Sequence, residues 1–355
     1  MFDPYDLTRT AWDERIASWG FPRPHAARIW KYLYRECEPD PARWNDLPAP
    51  LRARLATEAA TVPLQEAKVA LSDDGATHKY LLRLHDGRDI ETVQMRDVRR
   101  VTACLSSQVG CALGCVFCAT GRMGFTRDLT TGEIVAQAMH VVHALNRHGP
   151  ASLPRHVREP GRYLSNIVLM GMGEPLLNYV AVLDAIDILR DPGGLAIGAK
   201  QITLSTVGVI PGIIRLTDER RDVSLAVSLH AATQAERLAI VPTARAWPLD
   251  ELMSACRYYT NKLDKKIFFE WTLIAGRNDS PDQAAALADL LTGIPAQVNL
   301  IPVNPIADYD GEPTAGAALS RFRDRLRERG IPVSIRRRRG IEIAAGCGQL
   351  AVARN

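Results

Sequence analysis

The sequence predicts an α/β protein whose main part is an open or partial barrel of about six βα units. Two observations carry this. From about residue 100, short apolar runs alternate with helical segments: "RVTACLSS", "SNIVLMG", "QITLSTVG", "VSLAVSLHA", "KIFFEWTLI", "AQVNLIPVN" and "VSIRRR". Strands separated by helices are joined by crossovers, which implies a parallel sheet. The chain has 355 residues, 46% of them apolar, which suffices for one large α/β domain and a smaller one. In such folds, ligands lie at the carboxyl ends of the strands.

The elements follow in order. "RTAWDERIASWGF" and "PHAARIWKYLYREC" place apolar residues three and four apart, predicting helices in a region spanning 1–66. The intervening "GFPRP" breaks them. Over 67–98, "HKYLLRLHDGRDIETVQMRD" alternates apolar and polar residues around Asp86-Gly87, a β-hairpin in a β-rich connector. The barrel is expected over 99–340, with a tail over 341–355. In "LTTGEIVAQAMHVVHAL", Thr130 can cap and Glu133 stands three residues on, a capping box before an amphipathic helix. "HALNRHGPASLPRHVREPGRYLS" reads as a surface loop inserted before the second barrel strand.

Composition excludes several classes. The start, "MFDPYDLTRTAWDERIASWG", carries charges where a signal peptide needs apolar residues. No segment approaches the roughly 20 apolar residues that span a membrane. Seven unevenly spaced cysteines do not make the disulfide framework of a small secreted protein. A reducing, cytoplasmic setting is expected. The net charge of +4 is compatible with a polyanionic partner.

The chemistry concentrates in "SSQVGCALGCVFCATG", which follows the first barrel strand and places Cys111, Cys115 and Cys118 within eight positions. Thiolates at C-x3-C-x2-C spacing on a glycine-containing loop bind soft metals, either zinc or an iron–sulfur cluster. Structural zinc wants a fourth Cys or His, and the nearest in sequence, Cys104 and His140, complete no usual zinc pattern. Three cysteines on a [4Fe–4S] cluster would leave one iron open to a ligand.

The same stretch resembles the signature of radical S-adenosylmethionine (SAM) enzymes. Together with "DIETVQM", "LMGMGEPLLN", "ITLSTVGVIPGI", "LAVSLHAA", "LIPVNPI" and "GCGQLA", it is similar to one family in particular. That family comprises the radical SAM 23S rRNA and tRNA adenine-2 methyltransferases with the related adenine-8 resistance methyltransferases. The likeness runs through nearly the whole chain. It implies a partial (β/α)6 radical SAM barrel, a [4Fe–4S] cluster on Cys111, Cys115 and Cys118, and two SAM molecules per turnover. Gly173 and Glu174 in "GMGEP", then Ser205, Ser228, Leu229, His230 and Asn304 at later strand ends, would bind SAM. Glu174 is suited to the methionyl ammonium.

By the same resemblance, Cys347 is the methyl carrier, and glycines on both sides leave its segment mobile and the thiol accessible. Cys104 would form a transient disulfide with Cys347 that frees the product, and Glu91 would accept a proton. A carrier makes chemical sense because an aromatic adenine carbon is a poor nucleophile for direct transfer from SAM. Cys37 and Cys256 fall in helical patterns and read as structural. Implied partners are 23S rRNA, also tRNA, and an electron donor such as flavodoxin or ferredoxin, with a monomeric enzyme and no membrane.

RNA would be gripped by the helical N-terminal accessory domain and by arginines. Arg336 to Arg339 in "SIRRRRG" should alternate across a strand, two to each side, and Arg96, Arg99 and Arg100 form a second cluster. The chain departs from the family near the carrier, where "GIEIAAGCGQL" has Glu342 in place of Asp and an added Gly346. Carbon 8 as the target, and a radical SAM enzyme acting on another RNA or a small molecule, stay open on sequence alone. A zinc or RNA-binding module without catalysis is the competing class.

Overall fold

The computed structural model describes residues 1–59, 64–98, 100–148, 164–307 and 309–352. Packing divides the chain into two compact units. The first comprises Met1–Ser107, Asp128–Gly171 and Asn178–Ile202; the second comprises Gln108–Arg127, Met172–Leu177 and Thr203–Asn355.

The first unit opens with helices α1 (Arg9–Ser18), α2 (Pro24–Lys31) and α3 (Ala49–Glu58). Thr8 caps α1 by accepting from the Ala11 N–H, and Pro24 opens α2, where its missing N–H costs nothing. Their apolar stripes meet in a core of Trp12, Ile16, Ile29, Trp30 and Leu33, all fully buried. Next come strands β1 (Gln65–Leu71), β2 (Thr77–Arg83), β3 (Asp89–Asp97) and β4 (Arg100–Cys104). Each of the four is antiparallel to the next, with the expected hairpin joining β2 and β3.

The second unit begins at β5 (Gln108–Cys111), α4 (Ala119–Met123) and β6 (Gly124–Asp128), where β5 and β6 form a small separate sheet. The chain then returns to the first unit through α5 (Thr131–His148), β7 (Asn166–Leu169) and α6 (Tyr179–Arg190). The capping box at α5 is present: Thr130 Oγ1 accepts from the Glu133 N–H, and Glu133 Oε2 from the Thr130 N–H. Strand β7 lies parallel to β4.

The remaining elements are β8 (Ile202–Thr206), α7 (Ile210–Asp218), β9 (Ser224–Ser228), α8 (Gln234–Ile240), α9 (Leu249–Leu263), β10 (Ile267–Leu273), α10 (Pro281–Leu290), β11 (Ala296–Pro302), α11 (Gly316–Glu328) and β12 (Val333–Ile335). Strands β8 through β12 pair in chain order, all parallel. Buried Leu225, Val227, Phe269, Trp271 and Leu300 make this sheet apolar, as parallel strands covered by helices require.

All seven apolar runs read from the sequence are strands. Three further strands were not anticipated. Residues of β1 are almost all exposed, β5 is short with Gly110 inside it, and β6 is short and opens on Gly124, so none carries a clean alternation. The arginine run corrects another expectation: β12 ends at Ile335, so Arg336–Arg339 do not alternate across a strand. The Arg336 N–H still bonds the Leu300 carbonyl at 2.9 Å, but the chain then leaves the sheet. Arg99 and most of the inserted loop, 149–163, lie outside the described residues. No helix among the described residues is long and apolar enough to cross a membrane.

Candidate active site

Cys111 ends β5, Cys118 immediately precedes α4, and Cys115 stands on the loop between them. The loop is shaped by its own backbone, the Cys118 N–H bonding the Cys115 carbonyl at 3.1 Å, and by the Val116 N–H bonding the Ile240 carbonyl at 3.1 Å. Leu113, Val116 and Phe117 anchor it in an apolar cluster with Val207, Val241, Ile274 and Val303. Burial pushes the Cys111 thiol up to about 12, and the neighbouring Cys118 and Glu174 charges add to this. Burial likewise raises Cys115, with Cys118 and Cys111 reinforcing it.

Burial raises all three thiols, and Cys118 acts on both of the others, so the three stand near one another. A bound cation reverses that logic by taking the thiols as thiolates. A single zinc ion would need its ligand sulfurs converged at about 2.3 Å from one centre. Among the described residues, no three or more His, Cys, Asp or Glu side chains are so gathered. The donor set suits a larger cluster with soft sulfur ligation.

The end of β7 supplies the next group. Gly173 adopts a φ of +100°, and a Cβ there would stand 2.6 Å from the Gln108 side chain, so only glycine fits. Glu174 is 2% exposed, and its carboxylate accepts from the Leu176 N–H at 3.0 Å and the Val207 N–H at 2.8 Å. Burial nevertheless raises it to about 7, against these bonds and one from Thr206. Folded Glu174 thus binds its proton more tightly than the unfolded chain does. Its contribution to stability is fully present below the ordinary carboxylate pKa and is lost as pH rises through about 7. For the cluster-free protein we expect about 3 kcal/mol to be lost between pH 4.5 and 8. Urea unfolding at the two pH values checks this, with a flatter profile expected in Glu174→Gln.

Ser205 and Ser228 stand half-buried near the ends of β8 and β9, and Leu229 is fully buried just beyond. His230 holds a left-handed φ of +61°. Its Nδ1 accepts from the Thr272 N–H at 3.0 Å, which assigns the proton to Nε2. Burial, with the Arg237 charge, drives its pKa down to about 3, so the ring is neutral. Phe117 of the cysteine loop packs edge-on against it, with centroids 4.8 Å apart.

Arg237 and Gln108 are site residues that the sequence did not reveal. The Arg237 guanidinium, 1% exposed, donates to the carbonyls of Ser228 at 3.0 Å, Leu229 at 2.5 Å and Val207. It ties the ends of β8 and β9 together and sets a positive charge beside Cys115. The Gln108 Oε1 accepts from the Glu174 N–H at 2.8 Å, joining β5 to the GMGEP turn. In sequence, Arg237 is one charge on an amphipathic helix and Gln108 one polar residue before a cysteine.

Cys347 is exposed, as the accessible thiol expected, and hydrogen bonds join its segment to the cysteine loop. The Ala119 N–H bonds the Gly348 carbonyl at 2.7 Å, and Thr120 Oγ1 donates to the Leu350 carbonyl at 2.5 Å. The Asn304 Nδ2 donates to the Cys347 carbonyl at 3.0 Å. A Cβ at the added Gly346 would stand 2.6 Å from Asn304 Nδ2 and 2.8 Å from Gln349 Oε1, so a side chain there would displace the amides that hold this segment. The tail therefore seats on the residues that directly follow Cys118. Surrounding protein raises the Cys347 thiol above its ordinary value while Arg336 opposes this. Arg336 is itself held by buried Glu270 at 3.1 Å, and Arg338 bonds Asn304 at 3.3 Å.

Glu91 and Cys104 belong to the first unit, where the register brings them to one face. Val93 is opposite Cys104, and Glu91, two residues away on β3, points the same way. Both side chains are buried. No standing disulfide is present: all seven cysteines are free thiols, Cys104 and Cys347 included, and the expected bond between these two was a transient one. Cys256 is buried in α9, and Cys37 is half-buried beyond α2.

Comparison with known proteins identifies the class first. Residues 105–291 match the Radical SAM superfamily. A radical SAM methyltransferase from Sphaerobacter thermophilus superposes with a TM-score of 0.90 at 44% identity, covering 99% of each chain. The chain thus has the α/β radical SAM fold with a helical N-terminal region and a mixed sheet. It is 55% identical to the probable dual-specificity RNA methyltransferase RlmN 2 of Opitutus terrae, over 98% of this chain and 86% of the relative. Against the dual-specificity RNA methyltransferase RlmN 1 of Myxococcus xanthus, the identity is 51%, over 98% and 93%. The chain belongs to the dual-specificity RNA methyltransferase RlmN family, and is a radical SAM RNA methyltransferase. Membership implies a [4Fe–4S] cluster and SAM.

Proposed function

We propose that this enzyme methylates carbon 2 of an adenosine in 23S rRNA, and in tRNA, through an S-methyl group carried on Cys347. The observation that carries the reading is the seating of the Cys347 segment on Ala119 and Thr120, directly after the third loop cysteine. A methyl carrier must sit beside the radical source, and the tether supports that role for Cys347.

Cys111, Cys115 and Cys118 would hold the cluster, a reading supported by three neighbouring thiols of which Cys111 is buried and the other two half-buried. Gly173, Glu174, Ser205, Ser228, Leu229, His230 and Asn304 would hold SAM, two molecules per turnover. When bound, the cluster and SAM supply a 5′-deoxyadenosyl radical. Cys347 would take a methyl group on its sulfur from SAM, with S-adenosylhomocysteine leaving, would give up one hydrogen of that methyl to the radical, and would join the carbon to the adenine ring, the one surplus electron of the adduct passing back to the redox centre. Glu91 accepts the proton of the substituted ring carbon. Cys104 then attacks the Cys347 sulfur; the sulfur–carbon bond breaks with its electron pair going to the former methyl carbon, which takes up a proton. A transient disulfide is left behind. His230, fixed as a neutral Nε2–H donor, offers a directed hydrogen bond without adding charge.

The N-terminal region over 1–66 and the exposed arginines 336 to 338 would grip RNA, with 67–98 as connector, 99–340 as barrel and 341–355 as carrier tail. The adenine must be unstacked to reach the carrier. The enzyme would work in the cytoplasm as a monomer, reduced by a flavodoxin or ferredoxin.

Mass mapping of methylated adenosines in rRNA and tRNA, from cells with and without the gene, tests the reading. Loss of 2-methyladenosine is expected. Loss of 8-methyladenosine instead would reassign the target carbon, and an unchanged map would overturn both.

A further inference from the structure

We infer that Lys79 is a positioning residue for Glu91, holding that carboxylate ionised on the sheet face it shares with Cys104. The inference rests on the reading of Glu91 as proton acceptor.

Lys79 Nζ stands 2.8 Å from Glu91 Oε1, with the two side chains 15% and 5% exposed. The register explains the meeting. Val93 on β3 is opposite Lys79 on β2 and opposite Cys104 on β4, while Glu91 is opposite Leu81. Residues in register share a face, and alternate residues along a strand return to it. Lys79, Glu91, Val93 and Cys104 therefore line one side. Thr92 points the other way, where it bonds Gln137 of α5 at 2.8 Å. Other charged groups on the Glu91 face of these strands, among the described residues, include Lys68, opposite Leu81; Arg83, bonded to Asp89 at 2.9 Å; and Asp97 with Arg100, paired in register.

A buried ion pair rarely stabilises a fold more than apolar residues of the same volume would. Its value here is to chemistry. A carboxylate buried without a cation holds its proton and cannot accept another. The ammonium keeps Glu91 as the base. When Glu91 takes the proton, the electron pair of the broken C–H bond stays on the ring. The neutral acid then lies beside an ammonium that favours passing the proton on to water.

The test uses the full-length, cluster-loaded enzyme with substrate RNA in single turnovers across pH. Lys79→Met should move the acid limb of methylated-RNA release up by about 1 to 3 pH units, the usual effect of losing an adjacent opposite charge, and so slow release about tenfold at one pH unit below the shifted limb. S-methylation of Cys347 should be unchanged, and Lys79→Arg should restore most of the release. An acid limb in Lys79→Met identical to the parent's would overturn the inference. Release by Glu91→Gln at the parent rate would instead show that Glu91 is not the acceptor, removing the premise. Should Lys79→Met fail to fold, infrared difference spectra of the parent against Glu91→Gln read the carboxyl group directly. A protonated Glu91 at pH 6 in the parent overturns the inference, and an ionised one supports it.

Discussion

Replacing Cys347 with alanine is expected to cut RNA methylation by at least about 10⁴-fold, the scale of removing a covalent nucleophile. The fold should survive. Cys347 is exposed, and the bonds that seat its segment come from the backbone of Gly348 and Leu350 and from its own carbonyl, none of which involves the thiol. Cluster content and SAM cleavage should therefore remain, and this separates the carrier role from mere damage. Mass analysis of the parent should find a methyl group on Cys347, absent in the variant. Methylation persisting in Cys347→Ala, with the map of modified adenosines unchanged, would sink the carrier mechanism and leave direct chemistry on the substrate as the alternative.

The second large effect is expected at Cys118. Cys118→Ser should lower bound iron and sulfide from about four each to below one per chain and abolish methylation, because soft thiolates and not hydroxyls hold such clusters. Cys118 is a better choice than Cys111. The Cys111 side chain packs with Leu113, Val207 and Ile274, so its replacement also disturbs the apolar cluster beneath the loop. Iron analysis and the absorbance near 400 nm of the anaerobically reconstituted proteins decide the matter. Retention of full iron by Cys118→Ser would remove Cys118 from the ligand set. If methylation failed while iron stayed, the fault would lie in the tail seat, since Ala119 is the next residue.

Much of the fold could be read from local pattern. The seven parallel strands are β-branched or apolar runs long enough to stand out, and the Asp86-Gly87 turn marks its hairpin. The elements that escaped notice lack that pattern. Strand β1 buries almost nothing, and β5 has only four residues with a glycine among them. The run after Ile335 looked like more strand because charged residues can line an exposed edge. Hydrogen bonds from Arg336 to Glu270 and from Arg338 to Asn304 instead accompany the turn toward the carrier segment.

For the site, the spacing of Cys111, Cys115 and Cys118 and the glycines of GMGEP were visible because a loop's chemistry depends on residues a few positions apart. Resemblance added Cys347, Cys104 and Glu91, and the SAM-binding set Gly173, Glu174, Ser205, Ser228, Leu229, His230 and Asn304. Beyond these, sequence showed only residue types. Arg237 became a clamp because Val207, Ser228 and Leu229 present their carbonyls to it. Asn304 proved to hold the Cys347 backbone from 43 positions away. Lys79 met Glu91 because of strand register, and a shift of one residue would have turned it to the opposite face. Residue identity and short spacing name the reacting groups. Their protonation, exposure and aim follow from burial and long-range pairing, which exist only once the chain has folded.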